Sequence, residues 1–122
     1  MDIQEIKEMF VEEANEYLEV LDTNLELMKT SFDSITYDLI CETYRAAHSI
    51  KGTSGFLALT EISALSRAME FKMMPWRDKE SSPQPEDILI LIEANQILKS
   101  MVENFEELQD LDLTDILEKL KN

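Results

Sequence analysis

Apolar residues recur at three- and four-residue steps along nearly the whole chain, and that period restricts its regular structure to amphipathic helices. Ile3, Ile6, Phe10, Ala14, Tyr17, Leu18, Leu21, Leu25 and Met28 form one stripe, and Glu5, Glu8, Glu12, Glu13, Glu16 and Glu19 lie between them. This predicts a helix over 2–29, opened by Asp2 and Glu5 in the manner of a capping box. After a polar break over 30–34, a second helix is expected over 35–53, with Leu39, Ile40, Tyr44, Ala47 and Ile50 facing inward. Gly55 to Leu59 reads as a tight apolar connection. Thr60 is the expected N-cap of a third helix over 60–74, with the stripe Ile62, Leu65, Met69 and Met73.

Pro75 interrupts that pattern, and 75–85 reads as a loop rich in Ser and Pro, expected to be the most mobile segment. A fourth helix follows over 86–109, carried by Ile88, Ile92, Asn95, Leu98, Met101, Val102, Phe105 and Leu108. Asp112 or Thr114 opens a short fifth helix over 113–121. Two glycines and three prolines in 122 residues agree with long elements rather than a turn-rich β fold. The expected architecture is all-α: an antiparallel up-down four-helix bundle with an additional short C-terminal helix, forming one domain over 1–122.

Charge and cysteine usage narrow the function classes. A formal net charge of -15 disfavours nucleic acid and anionic membranes as partners. No apolar run approaches the ~18 residues of a membrane span. Cys41 is the sole cysteine, so no disulfide can form within the chain, and it reads as a small buried hydrophobe. With an acidic N-terminal stretch unlike a secretory leader, the expected location is the cytoplasm. The seven methionines read mainly as core filler, with Met73 and Met74 the pair most expected at the surface. Trp76 fits either a core plug or an exposed anchor for a partner.

One run carries chemistry: Arg45-Ala46-Ala47-His48-Ser49-Ile50-Lys51-Gly52-Thr53-Ser54-Gly55, which holds the chain's single histidine. On a helix, His48, Lys51, Gly52 and Gly55 share a face. A glycine inside a helix costs about 0.5–1 kcal/mol relative to alanine, so Gly52 calls for a reason. A bare helix surface one turn from His48 admits another protein's backbone, whereas Gly55 also fits a helix terminator. A neutral imidazole has one lone pair able to attack phosphorus, while its other nitrogen holds the proton. A carboxylate on that second nitrogen fixes the tautomer and stabilises the cation that forms, and the Lys51 ammonium can pair with phosphoryl oxygens.

The carboxylate follows from the hairpin of the second and third helices. His48 lies eleven residues before Leu59 and Glu70 eleven after it, so the two sit at about the same height. Glu61 and Glu42 meet that height and face less simply. Arg67, one turn before Glu70, either pairs with Glu70 or contacts phosphate. No Gly-rich phosphate loop accompanies these residues, so no nucleotide site of the chain's own is expected. One histidine and one distant cysteine make poor metal-ligand spacing, so no metal is expected either.

The run Ala47-His48-Ser49-Ile50-Lys51-Gly52-Thr53-Ser54-Gly55-Phe56-Leu57-Ala58-Leu59 resembles the motif of histidine phosphotransfer (HPt) domains. It is most similar to the N-terminal phospho-accepting domain of CheA-type chemotaxis histidine kinases. The His48-to-Glu70 spacing and the acidic first helix with Phe10, Glu13 and Ala14 match as well. The resemblance implies a phosphorelay carrier. A CheA-like kinase domain, in the same polypeptide or its partner, phosphorylates His48 from ATP, and an aspartate of a CheY-like response-regulator receiver takes the group. It implies that Lys51 assists the phosphoryl group, that Gly52 permits docking, and that Glu70 holds the inner ring nitrogen. Arg45, Ser49, Gly55 and Arg67 flank these as candidate binding residues. No cofactor is expected in the domain itself, with ATP and Mg²⁺ brought by the kinase and Mg²⁺ by the receiver. No catalytic activity is expected from it alone. The competing reading is a pseudo-HPt bundle that binds a receiver or kinase without accepting phosphate.

Two departures stand out. Ala58 occupies a position where glycine is common in the family, read as stiffening the turn. The stretch 71–80, with Lys72, Pro75 and Trp76, replaces the usual leucine-rich continuation of the third helix.

Overall fold

A computed structural model describes residues 1–107 and 111–121. It contains five α-helices: α1 (Ile3–Thr30), α2 (Tyr37–Phe56), α3 (Thr60–Arg77), α4 (Pro85–Glu103) and α5 (Thr114–Lys121). Helices α1 to α4 form an antiparallel four-helix bundle in which each packs on its neighbours in cyclic order, and α5 lies against α3 and α4. The core follows the apolar stripes. Leu21, Leu25, Met28, Ile50, Ile62, Leu65, Met69, Ile88, Leu91 and Leu98 are all fully buried.

The helix starts show how local chemistry sets the boundaries. Asp2 accepts a hydrogen bond from the Glu5 amide at 2.8 Å, satisfying one of the unpaired donors of the first turn. α2 begins two residues later than its pattern suggests. A 3₁₀ turn (Phe32–Ser34) comes first, and the Thr36 hydroxyl then caps the Leu39 amide at 3.1 Å. Thr60 is the first residue of α3 rather than its cap, a role that falls to Leu59. α4 opens on Pro85, where a missing amide costs nothing, and the Asp87 carboxylate accepts from the Gln84 amide at 2.9 Å. α4 ends at Glu103 rather than reaching Gln109: the Asn104 amide and side chain both donate to the Ser100 carbonyl, at 3.1 and 2.9 Å, and a 3₁₀ turn (Phe105–Glu107) follows. Leu108 and Gln109 lie outside the described residues.

The largest correction concerns Pro75. α3 continues through it to Arg77, so the expected loop over 75–85 shrinks to 78–84. Proline removes one helical hydrogen bond and crowds the carbonyl four residues back. Several anchors outweigh that cost. Trp76 is buried, which settles it as a core residue. The Tyr37 hydroxyl donates to the Arg77 carbonyl at 2.7 Å. The last turn closes with the Glu80 amide on the Pro75 carbonyl at 2.8 Å and the Lys79 amide on the Trp76 carbonyl at 3.2 Å. Lys72 is anchored too: its side chain is nearly buried and its ammonium lies 2.9 Å from Asp87 on α4. Met73 is fully buried and Met74 half-buried, against the expectation of an exposed pair, and Cys41 is only half-buried.

α2 terminates in the same fashion as α3, with the Leu59 amide on the Ser54 carbonyl at 2.9 Å and the Ala58 amide on the Gly55 carbonyl at 3.1 Å. That closure puts Ala58 at φ 59°, in the left-handed region. Alanine here strains the turn instead of merely stiffening it. Ala58→Gly is therefore expected to stabilise the chain by about 1 kcal/mol, the lower end of the left-handed penalty for a residue with a Cβ. Denaturant unfolding of the two proteins checks this, and equal or lower stability of the glycine variant would contradict it.

Candidate functional site

The α2–α3 hairpin carries the site, and small side chains line its seam. Thr43, Ala46, Ala47 and Ser54 on α2 and Ser66 on α3 are buried, which lets the helices lie close. Their hydroxyls return to their own helices: Thr43 to the Leu39 carbonyl at 2.7 Å, Ser54 to Ile50 at 2.6 Å and Ser66 to Ile62 at 2.7 Å. Each of these buried hydroxyls thus has a partner, which offsets the cost of taking it out of water.

Glu70 sits at the centre, 2% exposed on the inner stripe of α3. His48 Nδ1 meets Glu70 Oε1. An ionised carboxylate can only accept, so Nδ1 carries a proton, and in the neutral ring Nε2 keeps its lone pair. The His48 side chain is 56% exposed, so this nucleophilic edge is available to a partner. Lys51 Nζ lies 2.9 Å from Glu70 Oε2, and the Tyr44 hydroxyl donates to Oε1 at 2.9 Å. Burial by itself raises the pKa of Glu70. The Lys51 ammonium, then His48 and Tyr44, outweigh it and hold the carboxyl below its ordinary range. Burial, and next the hydrogen bond to Glu70, push the Tyr44 phenol up.

His48 and Glu70 thus meet at the same height across the hairpin, as their equal distances from Leu59 predict. Glu42 instead accepts from Asn24 of α1 at 2.8 Å. Lys51 is nearer the carboxylate than expected: its ammonium pairs with Glu70 while remaining partly exposed, with further N–H groups available to an incoming oxyanion. Gly52 lies exposed one turn beyond His48, and a Cβ built there would touch nothing within 4 Å. A Cβ on Gly55 would meet the Ser63 hydroxyl at 3.4 Å, an ordinary contact. Arg45 is exposed one turn before His48, and Ser49 is half-buried beside it. Arg67 does not pair with Glu70. Its guanidinium lies over the exposed Phe71 ring, 5.1 Å from the centroid.

Tyr44 is the participant that sequence reasoning missed, since it was assigned to the core face of α2. Its ring runs nearly parallel to that of His48, with centroids 6.0 Å apart and planes at 15°. The Arg77 guanidinium lies over the Tyr44 ring at 4.4 Å. The available signal was its position four residues before His48, one helical turn away.

A family profile described as "Hpt domain" matches residues 5–121. Chemotaxis protein CheA of Bacillus subtilis is 27% identical over 104 residues, which is 85% of this chain and 15% of that protein. Sensor histidine kinase CheAY of Helicobacter pylori is 32% identical over 101 residues, 83% of this chain and 12% of that protein. The chain thus spans only a small part of the length of these relatives. Among solved structures, the phosphorylated P1 domain of CheA3 in complex with CheY6 from R. sphaeroides superposes with a TM-score of 0.86 at 21% identity, covering 96% of this chain and 93% of that one. That likeness establishes the shared fold.

Proposed function

The chain belongs to the Hpt domain family, and on that premise we propose that it is a phosphorelay carrier working in chemotaxis-type two-component signalling. His48 takes a phosphoryl group from ATP in the active site of a CheA-like kinase domain and yields it to an aspartate of a CheY-like receiver. The observation that carries this reading is an exposed imidazole whose inner nitrogen donates to a buried, charge-balanced carboxylate.

The Nε2 lone pair attacks the γ-phosphorus, the P–N bond forms, and the bond to the ADP oxygen breaks. The proton stays on Nδ1, and the resulting positive charge on the ring faces Glu70. Phosphoryl transfer asks the protein mainly for positioning and charge stabilisation. Glu70 and Tyr44 position the ring, and Lys51 offers an ammonium to the phosphoryl oxygens. Gly52 leaves room for the partner's backbone. On transfer, an aspartate oxygen attacks phosphorus and the bonding pair returns to Nε2. The kinase supplies ATP and Mg²⁺ and the receiver its own Mg²⁺, while this domain binds neither and works as a monomer in the cytoplasm. No helix among the described residues is long and apolar enough to cross a membrane.

Phosphorus and nitrogen NMR of the phosphorylated chain locates the new bond. Attachment at Nε2 of His48 is expected. Attachment at Nδ1 or at a carboxylate would overturn the assignment of the two ring nitrogens.

A further inference from the structure

The unusual stretch at the end of α3 has a consequence at the site. Because the helix runs on through Pro75, Arg77 reaches back to α2 and covers the Tyr44 ring. Asp78 grips the same guanidinium at 2.9 and 3.0 Å, and the Tyr37 hydroxyl holds the Arg77 carbonyl. The Tyr44 ring is thereby fixed in contact with both Arg77 and His48, and its hydroxyl reaches Glu70 Oε1 at 2.9 Å. That oxygen also receives His48 Nδ1–H. One carboxylate oxygen therefore serves two donors.

We propose that Tyr44 is a positioning residue that sets how readily His48 gives up its phosphoryl group, with Arg77 holding the phenol in place. A second donor on Oε1 draws electron density from it and makes it a weaker acceptor for Nδ1–H. The phosphorylated ring carries positive charge and depends on that acceptor more than the free neutral ring does. Tyr44 therefore weakens the support given to phosphohistidine and favours release to the receiver. A cation over the phenol ring polarises it and makes its hydroxyl a stronger donor. In transfer, the P–N bond to Nε2 breaks, a P–O bond to the receiver aspartate forms, and Nδ1 keeps its proton throughout. This inference rests on His48 being the carrier.

The test is Tyr44→Phe in the 122-residue chain, which removes one hydroxyl and leaves the ring between His48 and Arg77. Lys51 and His48 still hold Glu70. The chain is phosphorylated by a CheA-type kinase core and mixed with a CheY-type receiver and Mg²⁺, and forward and reverse transfer rates are measured by rapid quench. Their ratio is expected to shift toward phosphohistidine by about threefold to tenfold, the scale of one hydrogen bond's net contribution. Arg77→Met should shift it in the same sense by less. A merely structural role would slow both directions alike and leave the ratio unchanged. That result, or a shift toward phosphoaspartate, overturns the proposal, and no shift in Arg77→Met alone removes Arg77 from it. If His48 is not the carrier, the unaltered chain takes up no base-stable phosphate that His48→Gln abolishes, which is a separate outcome.

Discussion

Glu70→Ala is expected to slow phosphorylation of the chain by about 10²-fold, the lower range for loss of a positioned acid–base partner. The substitution takes away the acceptor that fixes the Nδ1 tautomer and the negative charge that faces the imidazolium-like product. It also leaves the buried Tyr44 hydroxyl without its partner and frees the Lys51 ammonium. An orphaned buried hydroxyl costs roughly 1–3 kcal/mol, so some loss of stability accompanies the loss of rate. Receiver affinity separates the two effects. On the proposed reading a receiver docks over the exposed His48 and Gly52, and Glu70 is buried beneath His48, so binding should change far less than rate. Calorimetric titration of a receiver alongside the kinase assay checks this. Equal losses of rate and affinity would point to a collapsed hairpin instead.

Gly52→Gln is expected to move stability and function in opposite directions. The glycine lies inside α2, and a Cβ there meets nothing within 4 Å. Replacing it with a better helix former should stabilise the chain by about 0.5 kcal/mol or somewhat more. The same side chain projects from the exposed face one turn beyond His48, where on the proposed reading a partner brings an aspartate or a nucleotide to Nε2. A 1 Å displacement of reacting groups can cost about 10²-fold, so transfer in both directions should fall by at least about tenfold. Thermal unfolding and transfer kinetics on one preparation test both halves. Normal transfer by the glutamine variant would mean that the partner does not cross this face.

The bundle was readable from its apolar period because a helix with one greasy face has few ways to bury it, and four such helices with short links close on one another. His48 and Glu70 could be paired in advance because an antiparallel hairpin sets height by counting from its turn. Features that depend on one element's fit to another were harder to see. Pro75 reads locally as a break, and only the burial of Trp76, the Tyr37 contact and the closing turn at Lys79 carry α3 past it. Arg67 has the spacing to face Glu70, but the adjacent Phe71 ring holds its guanidinium. Tyr44 fits the core stripe of α2 so well that the apolar pattern gives no sign of its hydroxyl's bond to Glu70. Lys51 was placed on the right face, yet its pairing with Glu70 depends on how deep the carboxylate sits.

The central claim is that His48 carries a phosphoryl group. Incubating the chain with ATP, Mg²⁺ and a CheA-type kinase core, and then weighing it intact beside His48→Gln, tests this directly. The account predicts a gain of one phosphate that survives base, is lost in acid and is absent from the variant. A chain that takes up no phosphate from the kinase, nor in reverse from a phosphorylated receiver, yet still binds that receiver, would be an adaptor and would contradict the account.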